Sequence, residues 1–100
     1  MDNQQVQKAV DEIRAALSDS HGNYLNPIRN TNATMISDRV RHLLWMCDQI
    51  TDFLKNDRIE KAMRWLGFLQ GCCWMLNISS IEELKAQNAP SGTVLDKDRV

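Results

Sequence analysis

The residues in this sequence that could do chemistry are arginines and tryptophans at helical spacing. Four polar or aromatic residues recur at intervals of 4, 3 and 4, and so share one side of a helix: Arg41, Trp45, Asp48 and Asp52. Arg39 and His42 lie close by, and Trp74 follows later. Such a set can stack a base and hold phosphate. The alternative is that both tryptophans pack in a core or interface, with their indole N–H groups satisfied by neighbours.

Two glycines lie within the most apolar segment of the chain, residues 59–76. Each glycine inside a helix costs about 1 kcal/mol relative to alanine, so Gly67 and Gly71 need a compensating role. Four residues apart, they form a shallow notch that admits either another helix, from this chain or a second subunit, or a flat ligand group. The candidate ligand-binding residues are therefore Arg41, Trp45, Arg64, Gly67, Gly71 and Trp74.

The sequence shows no catalytic or metal-binding pattern. His42 and Cys47 are five residues apart, so they point about 140° away from each other on a helix. Asp48 and Asp52 share a face but have no paired histidine or Gly-rich phosphate loop beside them. The histidines and cysteines have none of the usual zinc spacings. We therefore expect a protein that is not an enzyme and that has no metal and no cofactor.

The elements that position these residues are helices, and the chain reads as a single all-α domain over residues 1–100. A first amphipathic helix is predicted within residues 1–20 from an apolar stripe at spacings of 4, 3 and 4: Val6, Val10, Ile13 and Leu17. Because its other face is polar, we expect it to pack on the outside of the bundle.

Residues 20–33 are rich in Gly, Asn and Pro and form a connection. Its apolar residues are expected to dock on the core: Tyr24, Leu25 and Ile28.

A long antiparallel helical hairpin is predicted over residues 34–77, because the turn near Asp57 is short. Three residues are candidate caps of its first helix: Asn32, Thr34 and Ser37. Asp57 and Glu60 have the spacing of a capping box for its second helix. Reflection about the turn gives five facing pairs: Leu54–Ile59, Ile50–Met63, Cys47–Leu66, Leu43–Gln70 and Val40–Cys73.

The second helix of the hairpin is apolar on most of its circumference, so we expect other helices to surround it. One of its columns should be covered by the first helix: Ala62, Trp65, Leu69, Cys72 and Leu76. A left-handed residue is expected near Asn77, where this helix ends. A short helix over residues 80–88 follows, started by a Ser-x-x-Glu capping box and anchored by Ile81 and Leu84. Residues 89–100 form a tail, held at most by Val94 and Leu95.

Composition narrows the class of partner and the compartment. The net charge of −1 argues against general nucleic-acid binding, which needs a basic excess. The first twenty residues do not resemble a signal peptide, and no apolar run reaches the length of a membrane span. An odd number of cysteines, two of them adjacent, is typical of reduced thiols. We therefore expect a cytoplasmic protein without membrane contact.

Several segments resemble a group of small helical proteins carried by tailed phages and prophages. The segments are residues 61–71 (KAMRWLGFLQG), Trp74, residues 80–85 (SIEELK), Asn88, and upstream residues 41–47 (RHLLWMC). The resemblance covers about residues 37–100, and its most specific part is the run R-W-L-G-F-x-Q-G. It implies a phage accessory protein that acts in the bacterial host cytoplasm. Such products often inhibit host defence, either as helical oligomers that sequester cyclic nucleotide signals or by binding defence proteins.

Three functions remain open at this point. The first is a homo-oligomer that sequesters a cyclic nucleotide or an ADP-ribose-type immune signal. The second is an inhibitor or adaptor that binds a host defence protein directly. The third is a structural or regulatory helical protein, in which the glycine notch serves only self-association.

Overall fold

The computed structural model describes residues 1–21 and 26–89 of the 100-residue chain. Four α-helices lie in these ranges: α1 (Asn3–His21), α2 (Ile36–Lys55), α3 (Ile59–Met75) and α4 (Ile81–Asn88). The described ranges contain no β-strand, and the prediction of a small all-α bundle is confirmed. Tyr24, Leu25 and the predicted tail contacts at Val94 and Leu95 lie outside the described residues.

Helix α1 lies against all three other helices and contributes one apolar face to the core. The predicted stripe Val6, Val10, Ile13 and Leu17 is fully buried. Two polar contacts at its edge orient α1 along α2: Arg14 to the Asp48 carboxylate at 3.0 Å, and the Gln7 amide to the Thr51 hydroxyl at 3.1 Å. The opposite face is exposed at Lys8 and Asp11, as expected of a helix that packs on the outside of the bundle through one apolar stripe.

Helix α3 buries only one of its apolar faces, and the prediction that other helices surround it fails within the described residues. The buried stripe is Ala62, Leu66, Leu69 and Cys73. In the column assigned to α1, Trp65, Cys72 and Leu76 are only partly buried. The outward face keeps Phe68, Trp74 and Met75 in solvent. None of the helices in residues 1–21 and 26–89 is long and apolar enough to cross a membrane.

The predicted start of α4 is confirmed, whereas α2 and α3 start differently from the prediction. Ser80 and Glu83 form the predicted capping box, with both hydrogen bonds present. Asn77 has the expected left-handed backbone, with φ of 59°. Helix α2 starts instead after Met35 and α3 after Arg58, neither with a side-chain cap. Asp57 cannot act as the N-cap of α3, because it takes a left-handed conformation in the turn, with φ of 57°.

Helix α4 contacts α1 and is joined to α3 by side-chain amide hydrogen bonds, although none of its residues is fully buried. The buried Gln70 amide donates to the side-chain oxygens of Gln87 and Asn88, at 3.2 and 2.8 Å, and accepts from Asn88 at 3.2 Å. The side chain of Gln70 therefore links α3 to α4. The predicted partner of Ile50, Met63, is exposed. Of the two predicted anchors of α4, Ile81 is 40% exposed, whereas Leu84 is partly buried.

Candidate functional site

A groove of about 640 Å³ opens between the first turns of α2 and the last turns of α3. Its apolar lining comes mostly from α3 and the residue after it: Phe68, Gly71, Cys72, Trp74, Met75 and Leu76. Helix α2 adds Arg39, His42 and Leu43, and the preceding connection adds Asn30, Thr31 and Ala33. The groove is therefore an apolar trough with a polar wall on one side.

The polar wall is fastened to α2 by hydrogen bonds across the connection. The Asn30 backbone N–H donates to Nδ1 of His42 at 3.0 Å, and Nε of Arg39 donates to the Ala33 carbonyl at 3.2 Å. Nearer the start of the same connection, the Asn26 carbonyl accepts a hydrogen bond from Nε of Arg41 at 3.0 Å. These contacts give the segment before α2 a defined position beside the end of α3, whereas Ile28, which was expected to dock on the core, is 43% exposed.

Arg39 sets the charge of the groove. Among the described residues that line it, Arg39 carries the only formal charge and none is acidic. Nε of Arg39 is used by Ala33, while its terminal nitrogens have no hydrogen-bond or ion-pair partner within residues 1–21 and 26–89. A guanidinium in this state can bind an anion through two donors. The electrostatics of the groove therefore favour an anionic group next to an apolar surface.

His42 is held in one tautomer at the base of the polar wall. Because Nδ1 accepts the Asn30 N–H, the ring proton of the neutral form lies on Nε2. Burial lowers the pKa of His42, and the neighbouring positive charge of Arg29 lowers it further. The imidazole ring also packs against Trp45, with ring centroids 5.3 Å apart. His42 therefore acts in the groove as a neutral hydrogen-bond acceptor that positions Asn30.

We expect the protein to lose stability as the pH falls below 6.5, the ordinary pKa of histidine, because of His42. The pKa of this group is lower in the folded state than in the unfolded state, so the unfolded chain binds the proton first as pH decreases. The contribution of neutral His42 is thus present above pH 6.5 and is lost as pH falls through the folded-state value. Urea unfolding at pH 7.5 and pH 5.0 measures this loss.

His42→Asn is the matched variant for this measurement, because an amide oxygen can replace Nδ1 as the acceptor without titrating. The difference in stability between the two pH values should be smaller in this variant than in the unmodified protein. Any contribution from His21 is common to both proteins and cancels. An equal pH dependence in both would contradict the assignment to His42.

Two of the predicted binding residues, Arg41 and Trp45, have structural roles outside the groove. Besides its bond to Asn26, Arg41 lies 3.8 Å from the Asp38 carboxylate. Trp45 packs against Trp65 at 5.9 Å, and Trp65 meets Phe53 edge-on at 4.9 Å. The packing alternative therefore describes Trp45 better than base stacking does. Helical spacing on α2 alone could not separate these two roles.

The four predicted residues on α3 are divided between the groove and open surface. Gly71 and Trp74 line the groove, whereas Arg64 lies toward the other end of the helix beside Glu60 and Arg58. Gly67 is exposed, and a Cβ added at either glycine would meet nothing within 4 Å. The notch is therefore not filled by a helix from the described part of this chain.

The sequence analysis selected neither Phe68 nor Met75 as a candidate binding residue. The signal for both was present in the spacing, since Phe68, Gly71 and Met75 recur at intervals of 3 and 4 along α3. The inward stripe uses the same period. Their exposure, 61% for Phe68 and 74% for Met75, shows that this second stripe faces away from the core.

The cysteines are placed where their thiols are unreactive. Burial raises the pKa of Cys47 and of Cys73 to about 12 each, and burial also raises the pKa of Cys72. These thiols are protonated at neutral pH and are poor nucleophiles and metal ligands in that form. Within residues 1–21 and 26–89, no group of three or more histidine, cysteine or acidic residues could hold a metal ion.

Comparisons with protein-family models, with curated proteins and with solved structures gave no match for this chain. The resemblance to phage-encoded proteins therefore stays a prediction. The groove and the exposed face of α3 are the features of the described residues that bear on function.

Proposed function

We propose that this protein is a non-enzymatic binding protein whose groove takes a flat, anionic molecule of the nucleotide class. In this proposal it works as a homo-oligomer in the bacterial cytoplasm. Its role there is that of a phage counter-defence protein that sequesters a cyclic nucleotide or an ADP-ribose-type immune signal. The groove is the single observation that carries the proposal of a ligand, and the sequence resemblance alone supports the phage context.

The shape of the groove supports a flat ligand. Gly71 leaves the α3 backbone open, with nothing within 4 Å of the position a side chain would take. The half-exposed indole of Trp74 and the ring of Phe68 stand on either side of it in the sequence and supply aromatic surface. Stacking of a base on such surface contributes about 1–3 kcal/mol per base. Arg39 at the polar wall then holds the phosphate.

Replacing Arg39 by glutamine is expected to weaken nucleotide binding without unfolding the protein. Removing one charged hydrogen-bonding group costs about 1.5–3 kcal/mol, which corresponds to roughly ten- to a hundredfold weaker binding. Isothermal titration with cyclic dinucleotides, cyclic trinucleotides and ADP-ribose measures the effect. The unphosphorylated nucleosides serve as the ligand control, since they lack the group that Arg39 would hold.

Lys55→Gln is the matched protein control, because it removes a positive charge at the opposite end of α2 from the groove. This variant should bind as tightly as the unmodified protein. If Arg39→Gln bound nucleotide as tightly as the unmodified protein, the ligand would have to bind outside the groove. A flat response of the unmodified protein to the whole panel at millimolar ligand would contradict the proposed function.

Direct binding of a host protein is the second candidate, and the exposed side chains of α3 favour it. Large apolar residues exposed together commonly mark a protein-interaction surface. Phe68 and Met75 are such residues, and Met35 and Ile36 at the start of α2 are also exposed. This candidate predicts no response to nucleotides and saturable binding to one purified host defence protein, lost in Phe68→Glu.

A further inference from the structure

The connection before α2 carries a second arginine close to the groove. The guanidinium carbon of Arg29 lies 5.9 Å from the centroid of the Trp45 ring, and the side chain is exposed. Arg29 directly precedes Asn30, which lines the groove and donates to His42. Its positive charge is close enough to His42 to lower the pKa of the imidazole. Arg29 therefore lies at the rim of the groove, on the side of His42.

The backbone on both sides of Arg29 is fixed to α2. The Ile28 N–H donates to the Arg41 carbonyl at 3.2 Å, and the Asn30 N–H donates to His42. The guanidinium of Arg29 itself has no hydrogen-bond or ion-pair partner in the described part of the chain. Contact with the face of an aromatic ring does not use the N–H donors of a guanidinium. These donors are therefore available to an anion.

Positive charge exceeds negative charge around His42. The nearby carboxylate of Asp38, one turn before His42, lies 3.8 Å from Arg41. This pair is neutral as a whole, which leaves the charges of Arg29 and Arg39 without an acidic partner among the described residues. An anion bound beside both arginines would offset their mutual repulsion. Charge complementarity therefore favours an anionic occupant at this end of the groove.

We propose that Arg29 is a second anion-binding residue of the groove and that, together with Arg39, it selects a ligand whose two phosphates are separated by a nucleoside. A cyclic dinucleotide has this chemistry. The choice of ligand rests on the proposed function, whereas the anion site at Arg29 does not depend on it. In this arrangement Trp45 positions Arg29 and does not stack a base, in agreement with its packing against Trp65.

The spacing along α2 determines which ligands reach both arginines. Arg39, His42 and Trp45 recur at intervals of 3, so they follow one another along one side of the helix. At about 1.5 Å per residue, Arg39 and Trp45 are roughly 9 Å apart along the helix axis. Arg39 is anchored on the Ala33 carbonyl, and Arg29 is anchored on the Trp45 ring.

This separation distinguishes two classes of nucleotide. The two phosphates of ADP-ribose share a bridging oxygen and are too close together for each to meet one of these anchored arginines. In a cyclic dinucleotide, a ribose separates each phosphate from the next, so one phosphate can meet Arg39 and the other Arg29. The geometry of α2 therefore favours the cyclic dinucleotide over ADP-ribose.

His42 lies between the two arginines and responds to an anion at Arg29. Its Nδ1 accepts the Asn30 N–H, and its Nε2–H has no partner among the described residues. An anion near Arg29 raises the pKa of His42, because it offsets the positive charge that lowers this pKa. The pKa of His42 is therefore a measure of anion binding at Arg29.

Sulfate is the first probe, since it stays fully ionised over the whole titration of a histidine. The imidazole of His42 is titrated by NMR in sulfate and in chloride at equal ionic strength, and His42→Asn identifies its resonance. We expect sulfate to raise the pKa of His42 in the unmodified protein. In Arg29→Gln this pKa should already be higher in chloride, because a neighbouring positive charge is removed, and sulfate should not change it further.

Arg58→Gln is the matched control for the sulfate experiment. Arg58 also lies over an aromatic ring, 5.6 Å from the centroid of Phe53, but beyond the other end of α2. This variant should keep the full response to sulfate. No change in the pKa of His42 on addition of sulfate, or the same change in Arg29→Gln, would overturn the anion site.

Isothermal titration with nucleotides tests the choice of ligand. Arg29→Gln should bind a cyclic dinucleotide about ten- to a hundredfold more weakly, because one charged hydrogen-bonding group is lost. Its affinity for ADP-ribose and for a nucleoside monophosphate should be unchanged, since Arg39 alone holds their phosphates. Arg58→Gln should bind all three ligands like the unmodified protein. An equal loss for ADP-ribose and the cyclic dinucleotide would contradict selection by phosphate spacing.

The two proposals can fail separately. A response to sulfate that depends on Arg29, without binding of any nucleotide, contradicts the proposed function and leaves the anion site standing. Cyclic dinucleotide binding that depends on Arg39 but not on Arg29 contradicts the second anion-binding residue and leaves the proposed function standing.

Discussion

Replacing Ile13 by alanine is expected to lower the free energy of unfolding by about 2–5 kcal/mol, the usual cost of removing a large aliphatic side chain from a packed core. Ile13 is 0% exposed and lies on α1, which contacts each of the other three helices. A cavity there loosens every helix at once. Because small domains have a total stability of about 5–15 kcal/mol, this loss is a large fraction of the whole. Urea denaturation measures the difference.

Ile36→Ala is the matched control for Ile13→Ala, since it makes the same chemical change at a side chain that is 56% exposed. Surface substitutions of this kind usually change stability by about 0.5 kcal/mol or less. Comparable losses in the two variants would contradict the burial of Ile13 between α1 and the other helices.

Replacing Gln70 by methionine is expected to release α4 and to cost about 1–3 kcal/mol. Methionine has nearly the same length and can stay in the buried position, but it cannot replace the three amide hydrogen bonds with Gln87 and Asn88. An eight-residue helix is unstable without tertiary contacts, so its amide protons should exchange much faster in the variant. Hydrogen exchange followed residue by residue measures this release.

Exchange in α1 is the internal reference for the Gln70→Met experiment, because α1 is held by the apolar core and should change only with global stability. Gln49→Met provides the matched control, since Gln49 lies on α2 and its side chain has no hydrogen bond within the described residues. If α4 kept its protection in Gln70→Met, the amide network would be dispensable. Packing of α4 on α1 would then be what holds the helix.

Much of the fold was predictable because helical periodicity is a local property of the chain. The stripe of α1 and the capping box of Ser80 and Glu83 were both correct, since each depends on residues three or four positions apart. The prediction that Asp57 caps α3 failed because capping also depends on the backbone conformation. A capping residue must have an extended backbone, and the sequence does not show that the turn gives Asp57 a left-handed one.

The candidate site was only partly predictable. Gly71 and Trp74 were identified and do line the groove, whereas Arg41 and Trp45 face a connection and an aromatic cluster. Spacing along one helix identifies residues that share a face but does not show what that face meets. Asn30 could not be placed at all, because a hydrogen bond to His42 twelve residues later has no local pattern.

By itself, the sequence determined the number, order and approximate limits of the helices, and it marked α3 as apolar on more than one side. Only the tertiary structure decided which of those sides faces the core, because either rotation of α3 would bury an apolar stripe. The hydrogen bonds of Gln70 distinguish the two rotations of α3. Its amide must be hydrogen-bonded when buried, and that requirement is met only where Gln87 and Asn88 of α4 reach it. With α3 rotated in this way, Phe68, Met75 and both glycines remain on the outside.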